Sequence, residues 1–198
     1  MSTYTAFEAT SQTLKKLMQD RIDADQDLAN TVTVLLKTPK EMGSEKGVSL
    51  WLYRVVRNEF WLNNPPQRVD ARQQRRTPLP LCLHYLVTPL LDLSETEQKV
   101  LGKVLQIFYD HPVVRGVDLR GSLQNTAVEL RVTLETLSLE ELTRVWTALN
   151  SETGYQLSVS YEVQVVEIDS AIEPEEVAPV VELVPEYHVI VGSPEAIP

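Results

Sequence analysis

Hydrophobic and polar positions alternate most cleanly between Val128 and Ile168, and this stretch organises the chain. In Val128–Glu135, Val128, Leu130, Val132 and Leu134 fall on one side and Glu129, Arg131, Thr133 and Glu135 on the other. A period of two predicts a half-buried strand. Ser138, with Glu141 three residues on, predicts a capping box. The serine hydroxyl takes the Glu141 N–H and the glutamate reaches back. Leu137 and Leu142 flank it at the spacing of a hydrophobic staple. Leu139, Leu142, Val145, Trp146 and Leu149 then form one apolar stripe at helical spacing. Gly154 permits a turn. Beyond it Tyr155, Leu157, Val159, Tyr161, Val163 and Val165 alternate with Gln156, Ser158, Ser160, Glu162 and Gln164. This predicts a strand of roughly 45 Å at about 3.3 Å per residue, longer than a small domain needs.

Upstream, Phe7 to Ile22 reads as an amphipathic helix with Leu14, Leu17, Met18 and Ile22 as its stripe. Thr31–Leu36 is β-branched and apolar, hence a strand. Lys37 to Gly47 reads as a polar loop. Val48 to Arg57 is a second strand, with Leu50, Leu52 and Val56 opposite Trp51, Tyr53 and Val55. A strand apolar on both faces sits centrally or feeds an interface. Asn63 to Pro78 has no periodicity and exceeds the usual connection length, which marks a functional or disordered loop. Leu79 to Thr88 is a third strand, with Leu81, Leu83, Tyr85 and Val87 on one face. Ser94 and Glu97 predict another capping box. The helix they open runs to about Asp110, with Val100, Leu101, Val104, Leu105 and Phe108 inward, and Pro112 closes it. Residues 113–127 are mixed.

From Asp169 the composition changes. Pro174, Pro179, Pro185, Pro194 and Pro198 separate short apolar runs at Val180-Val181, Leu183-Val184 and Val189-Ile190-Val191. Two parts follow: an α+β domain over residues 1–168, a mixed sheet flanked by helices, and an acidic, proline-rich C-terminal arm over residues 169–198. The arm's prolines forbid a central strand. Its β-branched runs suit addition to the open sheet edge of another protein, where main-chain hydrogen bonds supply affinity.

Charge sharpens this division. All 18 Lys and Arg residues lie at or before Arg144, while ten of the 28 acidic residues follow it. The formal net charge of −10 therefore belongs to the last strand and the arm, which argues against a C-terminal nucleic-acid arm. The one basic cluster is the loop carrying Arg68, Arg72, Arg75 and Arg76, which reads either as a solvated loop or as a contact for an acidic protein partner. It lacks the interleaved aromatics of a single-strand nucleic-acid site.

Chemistry that would mark an enzyme is missing from the pattern. No phosphate loop, dinucleotide fingerprint, HExxH or GxSxG is present. The single cysteine, Cys82, lies in an apolar run and excludes an internal disulfide framework. His84, His111 and His188 lack ligand spacing, so no metal or cofactor is expected. No stretch approaches the ~20 apolar residues of a membrane span. The start Met1-Ser2-Thr3-Tyr4 lacks the features of a signal peptide, which predicts folding in the cytosol.

The segment from Leu134 through Ser138-Leu139-Glu140-Glu141-Leu142 to Trp146, followed by Tyr155-Gln156-Leu157-Ser158-Val159-Ser160-Tyr161, resembles the cap, or tail-terminator, proteins of phage-tail-like contractile injection systems of the antifeeding-prophage type. Leu81-Cys82-Leu83-His84-Tyr85-Leu86-Val87-Thr88 is similar to that family's "L-x-L-H-Y-L-x-T" strand. Leu50-Trp51-Leu52-Tyr53-Arg54-Val55 resembles its early strand, and Glu97 through Leu101-Gly102 with Asp110-His111-Pro112-Val113 its next helix. The likeness covers most of residues 4–168 and stops at the Arg68–Arg76 loop and the arm. It implies a non-enzymatic ring, expected to be hexameric, that sits on the end of inner tube and sheath and stops their growth. It also implies a component of a particle released outside the cell. On this reading Val180, Val181, Leu183, Val184, Val189, Ile190 and Val191 meet the sheath protein. Two alternatives belong to other classes: a nucleic-acid-binding adaptor using the arginine loop, and a small hydrolase built around Cys82 and His84.

Overall fold

The first helix, α1 (Ala6–Asp23), buries Ala9, Leu14, Leu17, Met18 and Ile22, the positions that recur at three- and four-residue spacing. Thr10 and Thr13 are buried among them. Each returns its hydroxyl to the carbonyl four residues back, at 2.8 and 2.7 Å, so neither is left unpaired. The computed structural model describes residues 4–29, 31–61, 65–70, 72–149 and 154–176. After α1 come β1 (Val34–Leu35), α2 (Pro39–Met42), β2 (Gly47–Arg57), β3 (Gln67–Arg68), β4 (Gln73–Arg75) and β5 (Leu79–Leu90). Then follow α3 (Ser94–Asp110), β6 (Val113–Arg115), β7 (Glu129–Glu135), α4 (Leu139–Leu149), β8 (Val159–Ile168) and β9 (Glu175–Glu176).

A six-stranded sheet runs in the order β1-β2-β5-β8-β7-β6, and β3-β4-β9 form a second, small sheet. Only β1 and β2 pair in parallel. The fold is therefore α+β with a mixed sheet, as the sequence pattern predicts. The strand buried on both faces is β5, whose residues 80–89 are all buried. Its near-continuous apolar run has the character of a central strand.

Helices α1 and α3 cover one face of the sheet. Leu50, Leu83, Tyr85, Val87, Val163, Leu130 and Val132 meet Leu14, Met18, Val100, Val104 and Phe108 there in one core. Ser11 and Tyr85 share a hydrogen bond at 2.8 Å, and burial pushes the Tyr85 phenol up to about 12. The Gln19 side chain clamps the approach to β1, accepting the Val34 N–H at 2.8 Å and donating to the Val32 carbonyl at 3.1 Å. Gly47 is required beside it, because a Cβ there would lie 2.3 Å from the Thr33 carbonyl oxygen.

Several expectations need correction. Only Val34–Leu35 of the Thr31–Leu36 segment is strand. The expected loop at 37–47 holds α2, opened by a capping box between Thr38 and Glu41. Part of the aperiodic Asn63–Pro78 stretch is a hairpin, β3 paired with β4. Helix α3 starts at Ser94 with Leu93 as its cap, and the Glu97 carboxylate accepts the Leu91 N–H at 2.9 Å instead of Ser94's. Its inward set takes Ile107 and leaves Leu105 only partly buried. Strand β8 begins at Val159, so the expected 45 Å strand loses its first four residues, 155–158.

Two register shifts explain why alternation misassigns faces. In β2, Leu52 pairs with Tyr85 and Arg54 with His84, so Tyr53 is the extra residue of a bulge. Past it the parity reverses: Val55 opposes Leu83, and Val56 opposes Cys82. In the β5–β8 pair, Leu83 meets Val163 but Leu81 meets Val166, which puts Val166 on the core side.

Candidate functional site

The face of the sheet opposite α1 and α3 carries the polar groups. His84 and Ser160, from the central strands, are both buried, and Glu135 at the end of β7 joins them. Glu135 Oε2 accepts from Ser160 Oγ at 2.6 Å, from His84 Nδ1 at 3.1 Å and from Tyr53 OH at 3.2 Å. Burial pushes the Glu135 carboxyl up, but the hydrogen bonds from Ser160, His84 and Tyr53 together outweigh it and hold it below its ordinary value. The set resembles a serine–histidine–acid constellation in composition but not in geometry. The serine and the histidine both address the carboxylate, whereas a nucleophile needs its base within hydrogen-bond reach and the acid behind it. His84 Nε2 is buried with no hydrogen-bond partner among the described residues.

Cys82 shares this face with His84, two residues along β5. Burial, with the Glu162 carboxylate beside it, pushes the thiol up to about 12. A thiol so far above neutrality is not a nucleophile at physiological pH. Among the described residues no group of three or more His, Cys, Asp or Glu side chains is placed to hold a metal ion.

The arginine loop lies on the small sheet. Arg68 lies in β3, Arg75 in β4, and Arg72 in the turn between them. Asp70 Oδ1 shapes that turn by accepting the backbone N–H groups of Arg72 and Gln73, both at 2.7 Å. Arg76 reaches Glu175 at 2.8 Å, just where β9 pairs with β4. The basic hairpin thus already holds the first residues of the acidic chain end. Near it in sequence, Phe60 is 96% exposed and Val69 53% exposed. Of these groups, arginine is the residue type enriched at the energetic centres of protein interfaces.

Another surface is the edge of the main sheet. Strand β1 pairs only with Val48 and Ser49 of β2. From Leu50 to Arg57 the outer edge of β2 has no strand beside it among the described residues. Helix α4 lies next to this edge on the polar face. Its capping box is formed, with Ser138 N–H to Glu141 Oε2 at 2.8 Å and Glu141 N–H to Ser138 Oγ at 3.3 Å. Trp146 is its one buried residue and donates its indole N–H to Ser158 at 3.2 Å. Leu139, expected inward, is 67% exposed. Because α4 touches the sheet through so little, a groove of about 390 Å³ opens between them. Trp51, Tyr53, Arg54, Leu137, Arg144 and Val145 line it. A second open groove, about 850 Å³, lies on the helical face between the end of α3 and β7, along Leu105, Phe108, Tyr109 and Leu134.

Sequence reasoning found the arginines but not their hairpin, and missed the β2 edge and its groove. The signal for the edge was the double-sided apolar character of β2, which here marks a strand feeding a surface. The arm residues Val180, Val181, Leu183, Val184, Val189, Ile190 and Val191 lie outside the described residues.

No curated protein matches the chain in sequence. Among solved structures, the fold is similar to that of a PVC sheath/tube terminator in the extended state, part of an extracellular contractile injection system. The TM-score is 0.64 at 16% identity, over 97% of this chain and 67% of that one. It is also similar to the anti-feeding prophage cap, the AFP tube terminating cap, with a TM-score of 0.61 at 15% identity over 90% of this chain and 60% of that one. The chain thus spans about two thirds and three fifths of these two proteins. The model of the Pvc16 N-terminal domain family matches residues 9–182, and the chain belongs to that family.

Proposed function

We propose that this protein is a terminator of a contractile, phage-tail-like injection particle, a structural ring that closes the end of inner tube and sheath. The observation that carries this reading is the fold likeness to sheath and tube terminators, which extends over nearly the whole chain. The surfaces agree with it. The conspicuous features are an open sheet edge, an arginine hairpin and apolar grooves, all suited to binding other chains. In this reading the copies form a ring, expected to be hexameric, and the hairpin and the arm meet tube and sheath. The work is assembly, not catalysis, and the assembled particle is released from the cell.

The alternatives gain nothing from the geometry. A hydrolase would need a thiolate at Cys82 or a free hydroxyl at Ser160, and burial and Glu135 remove both. A nucleic-acid adaptor would need an open basic face, yet Asp70 in the hairpin turn and Glu175 and Glu176 in β9 share the small sheet with its arginines. The test is light scattering of the purified protein with and without its tube protein, joined to electron microscopy of particles assembled without it. Rings that bind the tube, and tubes of uncontrolled length when the protein is missing, are expected. Particles of normal length and stability without it overturn the proposal.

A further inference from the structure

We propose that β9 is a self-occupying latch: its Glu175 and Glu176 hold, on the arginine hairpin, the place that a carboxylate-bearing segment of tube or sheath takes in the assembled particle. The inference rests on the terminator reading above and names what the hairpin recognises and what occupies it beforehand.

Register defines the site. Residues opposite one another in a sheet point to the same face. Arg68 of β3 opposes Gln74 of β4, and Gln74 opposes Glu175 of β9. Arg76 lies two residues beyond Gln74 and so returns to that face. There it pairs with Glu175. One face of the small sheet therefore gathers Arg68 and Arg76 about a single carboxylate. On the other face Gln73 opposes Glu176, and Arg75 lies two residues along from Gln73. Each glutamate thus has an arginine on its own side. Arg72, in the turn, is exposed, as are Arg68 and Arg76. Four arginines against Asp70, Glu175 and Glu176 leave this sheet net positive even with the latch closed.

The seated carboxylate identifies the ligand chemistry, and its geometry makes it displaceable. Arg76 Nε and one terminal nitrogen both donate to the same oxygen, Glu175 Oε1, at 3.2 and 2.8 Å. A guanidinium fork is matched best by a carboxylate that gives one oxygen to each N–H, in two parallel bonds. Here one oxygen serves both. The side chains of the pair are 58% and 62% exposed, so water competes for each. The backbone adds little, because β9 is two residues long and joins β4 through two residue pairs. Neither β4 nor β9 contributes to the hydrophobic core. The hairpin turn does not depend on the latch either, since Asp70 fixes it through the Arg72 and Gln73 N–H groups.

Competition follows from this arrangement. A ligand binds only the molecules whose latch is open, so its apparent affinity is scaled down by that fraction. An exposed ion pair shifts such an equilibrium by up to about fivefold. That is enough to damp chance contacts with acidic proteins, and small enough for a surface presenting several carboxylates to overcome.

The test uses the full chain and a variant with Glu175→Gln and Glu176→Gln, which keeps the length of the latch and removes its charge. Both residues are exposed, so the fold should stand. The probe is a short capped peptide alternating Glu with Ser, its binding read by fluorescence anisotropy at low and moderate salt. The expected result is binding about three- to fivefold tighter in the variant at low salt, with the gap narrowing as salt screens the charges. Adding Arg68→Ser to the variant should weaken binding again, because Arg68 shares the face that Glu175 occupies. Equal or weaker binding by the glutamine variant overturns the latch. No binding by either protein overturns the carboxylate site. A single-stranded oligonucleotide of equal charge that binds the variant more tightly than the peptide overturns a protein partner. Sedimentation of both proteins with tube and sheath is read separately. If neither associates, the terminator reading falls, and with it the named source of the carboxylates, whatever the peptide shows.

Discussion

Ser160 Oγ lies 2.6 Å from Glu135 Oε2, and this bond joins β8 to the end of β7 on the face that α4 only partly covers. His84 and Tyr53 converge on the same oxygen, so four strands are tied at one carboxylate. In a part-buried polar network of this kind the paired members stabilise and removing one is costly, while His84 Nε2 has no partner among the described residues.

Glu135→Gln keeps the volume and removes the charge. It should destabilise the fold by about 1–3 kcal/mol at pH 7, the range for breaking a buried hydrogen-bonded group. The pH dependence has a definite sign. The folded carboxyl titrates below its unfolded value of about 4.3, so its contribution is present above that pH and is lost as pH falls through the lowered folded value. Denaturant titrations at neutral pH and near pH 3 should therefore show the wild-type advantage shrinking in acid. An advantage that stays constant or grows would remove the carboxylate from the account.

Trp146→Ala should cost about 3–5 kcal/mol, as large buried aromatics do. Trp146 is the one residue of α4 that is fully buried, and it also carries the bond to Ser158. Without it α4 has little else holding it to the sheet. The measurement is the midpoint of chemical unfolding, with the far-ultraviolet helical signal followed in parallel. A change within experimental error would mean that α4 is held by contacts other than its tryptophan.

A chain ending at Asp169 should keep the six-stranded sheet. It loses β9 and the ion pair between Arg76 and Glu175, whose side chains are both more than half exposed. Exposed pairs contribute roughly 0–1 kcal/mol. Thermal melting of the truncated chain should therefore stay cooperative, with its midpoint only slightly lowered. An unfolded product would put the domain boundary further along the chain.

How much of this was legible depends on which physics wrote the pattern. Helix α1, α4 with its Ser138 box, and β7 follow from periodicity, because burial on one face dictates it, while β2 and β5 follow from apolar runs that fill both faces. The bulge at Tyr53 was not legible, since one inserted residue leaves composition unchanged while reversing every face beyond it. The α2 box at Thr38 and Glu41 was present in the sequence but lay in a stretch whose glycines suggested a loop. Ser94 misled for the opposite reason: its spacing to Glu97 is that of a box, yet the glutamate satisfies Leu91. For the site, the arginines were visible as a cluster. The β2 edge was not, because strand order decides which edge is open, and strand order is a tertiary outcome.

Arg72, Arg75 and Arg76 changed together to Ser should leave the fold intact and weaken assembly. The fold part follows from position. The three lie on the small sheet, away from the helical core, and Arg76 is held by one exposed carboxylate. The assembly part follows from what the hairpin presents. Guanidinium groups form paired hydrogen bonds with carboxylates on a partner, and each such contact, once desolvated, is worth more than an exposed pair. The loss should also be steeper in the wild type as salt rises, because the triple variant has given up the charges that salt screens. Co-sedimentation of each protein with tube and sheath at low and moderate salt is the measurement. A several-fold weaker association of the variant at low salt, narrowing as salt rises, is expected. Equal capping of particles by the two proteins at both salts would make the hairpin a solvated turn and move the partner contact elsewhere on the surface.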